Sequence, residues 1–217
     1  MPLLQKLVVS TLLLAAPVLS SADEVLFQSA TLGQTGITAD QLLDQSVPGT
    51  NVNQFVFVGA RFELTEPVIT SRIGGHFASL GISGNFFGAI VSLDGPDDLP
   101  DSSDLSTPDV LGSTLLEFPD PSDDVFGMLE LNLDPGWYGV VFGSGLFGAT
   151  GAGGAIRNNI GAGNPDFIGR GTAGFWADVP MLAASGQRFV VTGTVVPEPC
   201  GFMVTSVLLA SFFLRRH

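Results

Sequence analysis

The chain has 217 residues, 45% of them hydrophobic and 13% charged, enough apolar material for one packed domain and too much for a globally disordered chain. Its 21 acidic residues against eight basic ones give a net charge of -13, the wrong sign for a nucleic-acid binder. A single cysteine leaves no disulfide framework, and 28 glycines beside 17 phenylalanines imply many turns around a Phe-rich interior.

At the N-terminus, Lys6 precedes an apolar stretch from Leu7 to Ala16 and the small-residue site Ser20-Ser21-Ala22. That order is the order of a secretory signal peptide, cut by signal peptidase between Ala22 and Asp23. Beyond it, runs rich in Val, Ile and Phe alternate with clusters of Gly, Pro, Asn and Asp, and no segment sustains a long helical period. Strands are expected at Val25 to Thr31, Phe55 to Leu64, Val68 to His76, Phe86 to Leu93, Phe126 to Leu133, Trp137 to Phe142, Gly174 to Val179 and Arg188 to Val196. The one helical signal is Thr38 to Gln45, with Thr38 as cap and Gln41 completing a capping box. Eight short strands separated by turn signals predict an all-β domain over residues 23–196, an antiparallel β-sandwich of jelly-roll type. Within Phe55 to Leu64 the polar residues fall only toward the end of one face, which predicts a central strand.

Chemistry-bearing groups are sparse. His76 is the only histidine of the mature domain and no serine sits in G-x-S-x-G, so nucleophilic triad chemistry has little to stand on. Its place after Gly74-Gly75 suits a structural residue at a strand end. Gly143-Ser144-Gly145-Leu146-Phe147-Gly148 has the spacing of a dinucleotide loop, but the glycine-rich sequence after it is poor helix material and no βαβ unit surrounds it. A flexible glycine loop is expected instead. Glu63 and Glu66 are the best-placed carboxylates for glycoside hydrolysis, yet a regular strand would send them to opposite faces. The chain is therefore not expected to be an enzyme, and a glycan-active enzyme is the weakest reading.

Two features could bind a ligand. Twelve acids lie between Asp94 and Asp134 without a basic residue among them, and Asp94, Asp97, Asp98 and Asp101 offer the hard oxygen ligands that Ca²⁺ prefers. No EF-hand spacing is present, so a solvated acidic loop is the plainer expectation and no other cofactor is expected. Trp137, Tyr138 and Trp176 could stack on sugar rings if exposed, although core packing is the usual place for such rings. A carbohydrate-binding module, Ca²⁺-dependent if the acids converge, is the alternative to a non-catalytic structural role.

The C-terminus holds an uncharged run from Gly201 to Leu214, preceded by Val196-Pro197-Glu198-Pro199 and closed by Arg215-Arg216-His217. At about 1.5 Å per residue a helix of this run spans roughly 21 Å, short of the roughly 30 Å hydrocarbon core. The terminal arginines favour the cytoplasmic side, which leaves the domain outside. Two prolines stop the helix from reaching back into the domain. These three parts, over residues 196–217, resemble the PEP-CTERM sorting signal of Gram-negative bacteria, with the segment from Pro197 to His217 as the sorting signal proper. The resemblance implies processing by exosortase, a membrane-embedded cysteine protease, after transient anchoring in the inner membrane. It also implies delivery to the cell surface or extracellular matrix, often alongside exopolysaccharide. Between the two end segments the domain keeps 20 acids against five arginines, a net of -15, and has no lysine.

Overall fold

The computed structural model describes residues 23–31, 50–82, 84–120, 122–156, 160–161, 166–179 and 186–197. The signal peptide expected at 1–22, the helix expected at 38–45 and the hydrophobic run 201–214 lie outside the described residues, as do Glu198, Pro199, Cys200, Arg215 and Arg216. Among the described residues there is no helix, and so none long and apolar enough to cross a membrane.

The strands in chain order are β1 (Glu24–Gln28), β2 (Ala30–Thr31), β3 (Thr50–Val52), β4 (Phe57–Leu64), β5 (Val68–Ile82), β6 (Asn85–Leu93), β7 (Val110–Glu117) and β8 (Asp123–Met128). They continue with β9 (Asn132–Leu133), β10 (Gly136–Gly143), β11 (Ala152–Ala155), β12 (Ile160–Gly161), β13 (Asp166–Arg170), β14 (Trp176–Asp178) and β15 (Phe189–Val195). All pairings are antiparallel. One sheet is built on the long β5, which pairs with β15 along its first part and β11 along its second, with β8 and β9 along its other side. The other sheet has the order β14-β13-β4-β10-β6-β7. The chain is all-β and its antiparallel sheets pack as a sandwich.

The period of two explains where the core sits. On β4, Val58, Ala60, Phe62 and Leu64 face the first sheet, joined by Phe86 and Ile90 of β6 and by Tyr138, Val140 and Phe142 of β10. Opposite them stand Ile73 and Phe77 of β5 and Phe189 and Val191 of β15. Phenyl rings interlock across the gap, Phe77 with Phe142 at 5.0 Å and Phe142 with Phe189 at 5.3 Å between centroids. Each such ring, fully buried, contributes roughly 1.5 to 3 kcal/mol, with about 0.5 to 1.5 kcal/mol more for a well-placed aromatic pair.

The other face of the second sheet is buried too. Phe57, Phe87, Ala89, Val91, Val141 and Ile168 form a second apolar cluster, closed over by Leu99, Leu105, Leu146 and Trp176. This double burial is why β4 reads as nearly continuous apolar residues, with only Glu63 exposed. Its central position, between β13 and β10, agrees with the sequence expectation.

Several boundaries differ from that expectation. The strand begun at Val68 runs past His76 to Ile82, so His76 lies mid-strand and buried rather than at a strand end. The acidic stretch from Asp94 to Asp134 is not one loop, because β7, β8 and β9 lie within it. Of the four phenylalanines followed by glycine, Phe126 and Phe147 carry exposed rings, whereas Phe87 and Phe142 are fully buried. Gly143 is required by close packing, since a Cβ there would collide with the Phe57 ring and meet Phe87 at 2.7 Å.

Candidate functional site

β4 has two chemically different ends, separated by roughly 23 Å at about 3.3 Å per residue over its length. At its Leu64 end, Glu24, Glu63 and Glu66 surround a shallow depression of about 240 Å³ that Val195 also lines. The expected separation of Glu63 and Glu66 onto opposite faces does not hold, because the strand stops at Leu64 and Glu66 sits in the following turn.

At the Phe57 end, four loops converge. The first is a turn made by Asn53, whose Oδ1 accepts the N–H groups of Phe55 at 2.8 Å and Val56 at 3.1 Å. This bond satisfies the backbone within the turn and leaves the Phe55 ring 56% exposed. The second is the glycine loop after β10, where Gly145 has φ +83° and a Cβ would meet Gln54 Cβ at 2.8 Å. Glycine is what lets this loop lie against the first. The dinucleotide spacing thus folds as a turn, with Gly145 N–H bonded to Ala149 O and no helix following.

The third loop, 102–106, is held from below. Trp176 Nε1 donates to Ser102 O at 2.8 Å. Ser106 donates through its hydroxyl at 2.6 Å and its N–H at 3.2 Å to Asp104 Oδ1. The Ser106 hydroxyl, chiefly, holds the Asp104 carboxyl below its ordinary range, so Asp104 is an ionised acceptor at neutral pH. The fourth loop joins β13 to β14 and presents Phe175, 64% exposed. Arg170, at its base, lies over the Phe57 ring at 4.7 Å and donates through Nη1 to Phe55 O at 3.4 Å. Among the described residues its Nε is shielded from solvent without a hydrogen-bond partner.

These loops enclose a cleft of about 180 Å³ lined by Gln54, Phe55, Asp104, Ser144 and Arg170. A neighbouring depression of about 560 Å³ shares Gln54, Phe55, Ser144 and Gly145 with it. A third, apolar hollow of about 280 Å³ runs from Phe57 and Arg170 to Phe175 and Val179.

The rings expected to stack on sugars lie elsewhere. Tyr138 and Trp176 are buried, so neither presents a face to solvent. Tyr138 points into the inter-sheet core and donates to Asp134 O at 2.8 Å, and Trp176 seals the second cluster. Trp137 is half-buried against the same cluster. Each ring is on the strand expected for it, but the sheet packs on both faces and covers them.

The acidic segment after β6 is a cover held to that outer face. Arg61, only 6% exposed, donates from Nη1 to Asp98 O at 3.0 Å and from Nη2 to Asp178 Oδ1 at 2.7 Å. Leu99 and Leu105 press the segment onto the second cluster. The carboxylates are turned to the loop's own backbone: Asp98 Oδ2 accepts Asp94 N–H at 2.7 Å, and Asp109 Oδ2 accepts Asp101 N–H at 3.1 Å. Among the described residues no three His, Cys, Asp or Glu side chains are placed to hold a metal ion. Asp94, Asp97, Asp98 and Asp101 do not form such a group.

Sequence reading passes over Phe55 and Arg170 because strand periodicity absorbs the first and nothing marks the second. Asn53-Gln54, two polar turn formers directly before an apolar run, is the signal that places Phe55 in a loop. Compared with family models, with curated proteins and with solved structures, the chain matches none of them.

Proposed function

We propose that the protein is an exported, non-catalytic β-sandwich of jelly-roll type, processed by exosortase at Pro197-Glu198-Pro199 and delivered to the cell surface or extracellular matrix, in association with exopolysaccharide. The observation that carries this reading is the place of Pro197 just past β15. β15 ends at Val195, Val196 N–H donates to Pro67 O at 2.8 Å, and Pro197 is exposed. The tripeptide thus begins one residue beyond the Val196 contact with Pro67, at an exposed position. The expected signal-peptidase site is beside it, because β1 pairs antiparallel with β15 through Glu24 and Gly193. Asp23 and Pro197 therefore leave the sandwich from one end. The interlocked non-consecutive strands, with β4 between β10 and β13, support the jelly-roll type.

Replacing Pro197, Glu198 and Pro199 by alanine should leave full-length protein in the inner-membrane fraction. Release of that variant at the wild-type rate would contradict the reading. A glycan-binding module is the second reading, favoured by the Phe55 and Phe175 rings exposed at the opposite end of β4.

A further inference from the structure

We infer that the cleft between Phe55, Asp104 and Arg170 binds a ring of a neutral, hexose-based glycan, with the Phe55 face as its platform. The inference deepens the glycan-module reading and does not rest on how the protein is sorted.

Size is the first argument. The cleft of about 180 Å³ lies below the roughly 300 to 1,000 Å³ of sites that enclose a drug-sized ligand. One ring fits, and a longer ligand must continue outside. The depression on the other side of Phe55 gives it that path, because Gln54, Phe55, Ser144 and Gly145 line both. A polymer read one unit at a time suits such a ridge.

Chemistry is the second. A sugar ring offers a C–H face and a rim of hydroxyls, each both donor and acceptor, so its site needs an exposed aromatic plane beside mixed hydrogen-bonding groups. The cleft supplies that set: Phe55 as the plane, Asp104 as an acceptor, Arg170 as a donor and the exposed Gln54 as both. The bonds that Asp104 receives from Ser106 both go to Oδ1, and the side chain is exposed. Arg61, Arg72 and Arg188 each pair with a carboxylate, whereas Arg170 has no carboxylate partner among the described residues. Its guanidinium is held in place by stacking on Phe57 instead, a preorganised donor with capacity left over.

Charge is the third, and it decides between sugar classes. A lysine-free domain at -15 repels uronates, phosphates and nucleic acid at long range. A single arginine beside an ionised Asp104 does not reverse that field. A neutral ring escapes it.

Affinity electrophoresis of the full chain tests the inference, in detergent-containing native gels cast with dextran, with galactomannan or with anionic alginate. Retardation is expected in at least one of the two neutral gels, and none in alginate. Phe55→Ala and Asp104→Asn change exposed side chains and should keep the wild-type unfolding midpoint while raising the apparent Kd about tenfold or more. The triple alanine variant of the sorting motif should be retarded like wild type, which separates this inference from the sorting reading. No retardation in either neutral gel would overturn it, and so would retardation that Phe55→Ala leaves unchanged. Retardation abolished by Trp137→Phe but not by Phe55→Ala would place binding toward the Leu64 end of β4, where Trp137 pairs with Glu63, and also overturn it.

Discussion

Arg61 bonds the backbone carbonyl of Asp98 at 3.0 Å, so a buried cation on a central strand fastens the acidic segment across the outer face of the second sheet. Arginine suits this place because its planar fork serves the carbonyl and the Asp178 carboxylate together. Arg61→Met keeps the stem's packing and removes both bonds. With Asp178 largely exposed, the expected loss is about 2 kcal/mol in urea unfolding. Limited proteolysis should cut residues 94–109 faster in the variant than in wild type. Equal stability and equal cutting would mean that Leu99 and Leu105 hold the segment without help.

Tyr138 gives the protein an alkaline limit. Burial, with the negative charge of Asp134 adding to it, holds the phenol above its ordinary value of 10.0. The folded state therefore favours the neutral phenol, and the stability it contributes is fully present below pH 10. That contribution is lost as pH rises through the folded value. Tyr138→Phe should cost about 1 kcal/mol at neutral pH through its lost bond to Asp134 O, and should flatten the decline in stability above pH 10. A decline as steep in the variant as in wild type would assign the alkaline limit to other groups.

Two ion pairs on the first sheet should differ sharply. Arg188 and Asp124 meet at 3.0 Å with side chains 11% and 14% exposed, and Arg188 also donates to Gln28 Oε1 and Ala30 O. Asp124→Ala would leave a largely buried guanidinium short of its counter-charge, at a cost of about 2 to 3 kcal/mol. Arg72 and Asp23 sit 3.5 Å apart and are both well exposed, so Asp23→Ala should change stability by less than about 0.5 kcal/mol. Thermal unfolding of the two variants side by side checks the contrast.

Gly143 is a packing requirement. Alanine there would drive a methyl carbon into the Phe57 ring and place it 2.7 Å from Phe87. Gly143→Ala should therefore cost about 1 to 3 kcal/mol, read as a lower urea midpoint. Since Phe57 carries Arg170 on its face, the same variant should also weaken any binding at the loop end.

What is legible in the sequence is whatever the apolar period of two can carry. Phe86 to Leu93, Trp137 to Phe142 and the central strand ending at Leu64 are close to where they are expected. Other strands lack that signal. Ala152–Ala155 is Ala-Gly-Gly-Ala, and it is a strand because the Phe118 ring and Ala78 O close against Gly153, contacts that no local pattern announces. Val110–Glu117 is hidden among acids, which mark solvent exposure as readily as a loop, and this strand lies at the sheet's edge. Site residues are missed for a related reason. Trp137, Tyr138 and Trp176 are conspicuous by type, yet a sheet covered on both faces draws large rings inward. Phe55 escapes only because Asn53 bonds the backbone of the turn, so that the strand begins two residues later than expected.

The central claim is that this is an exported protein cut at both ends, and mass spectrometric mapping of the termini of the surface-associated protein tests it most directly. The account predicts an N-terminus at Asp23 and no peptide from the run between Val207 and His217. Surface protein that still carries Arg215 and Arg216, or that begins at Met1, would contradict it.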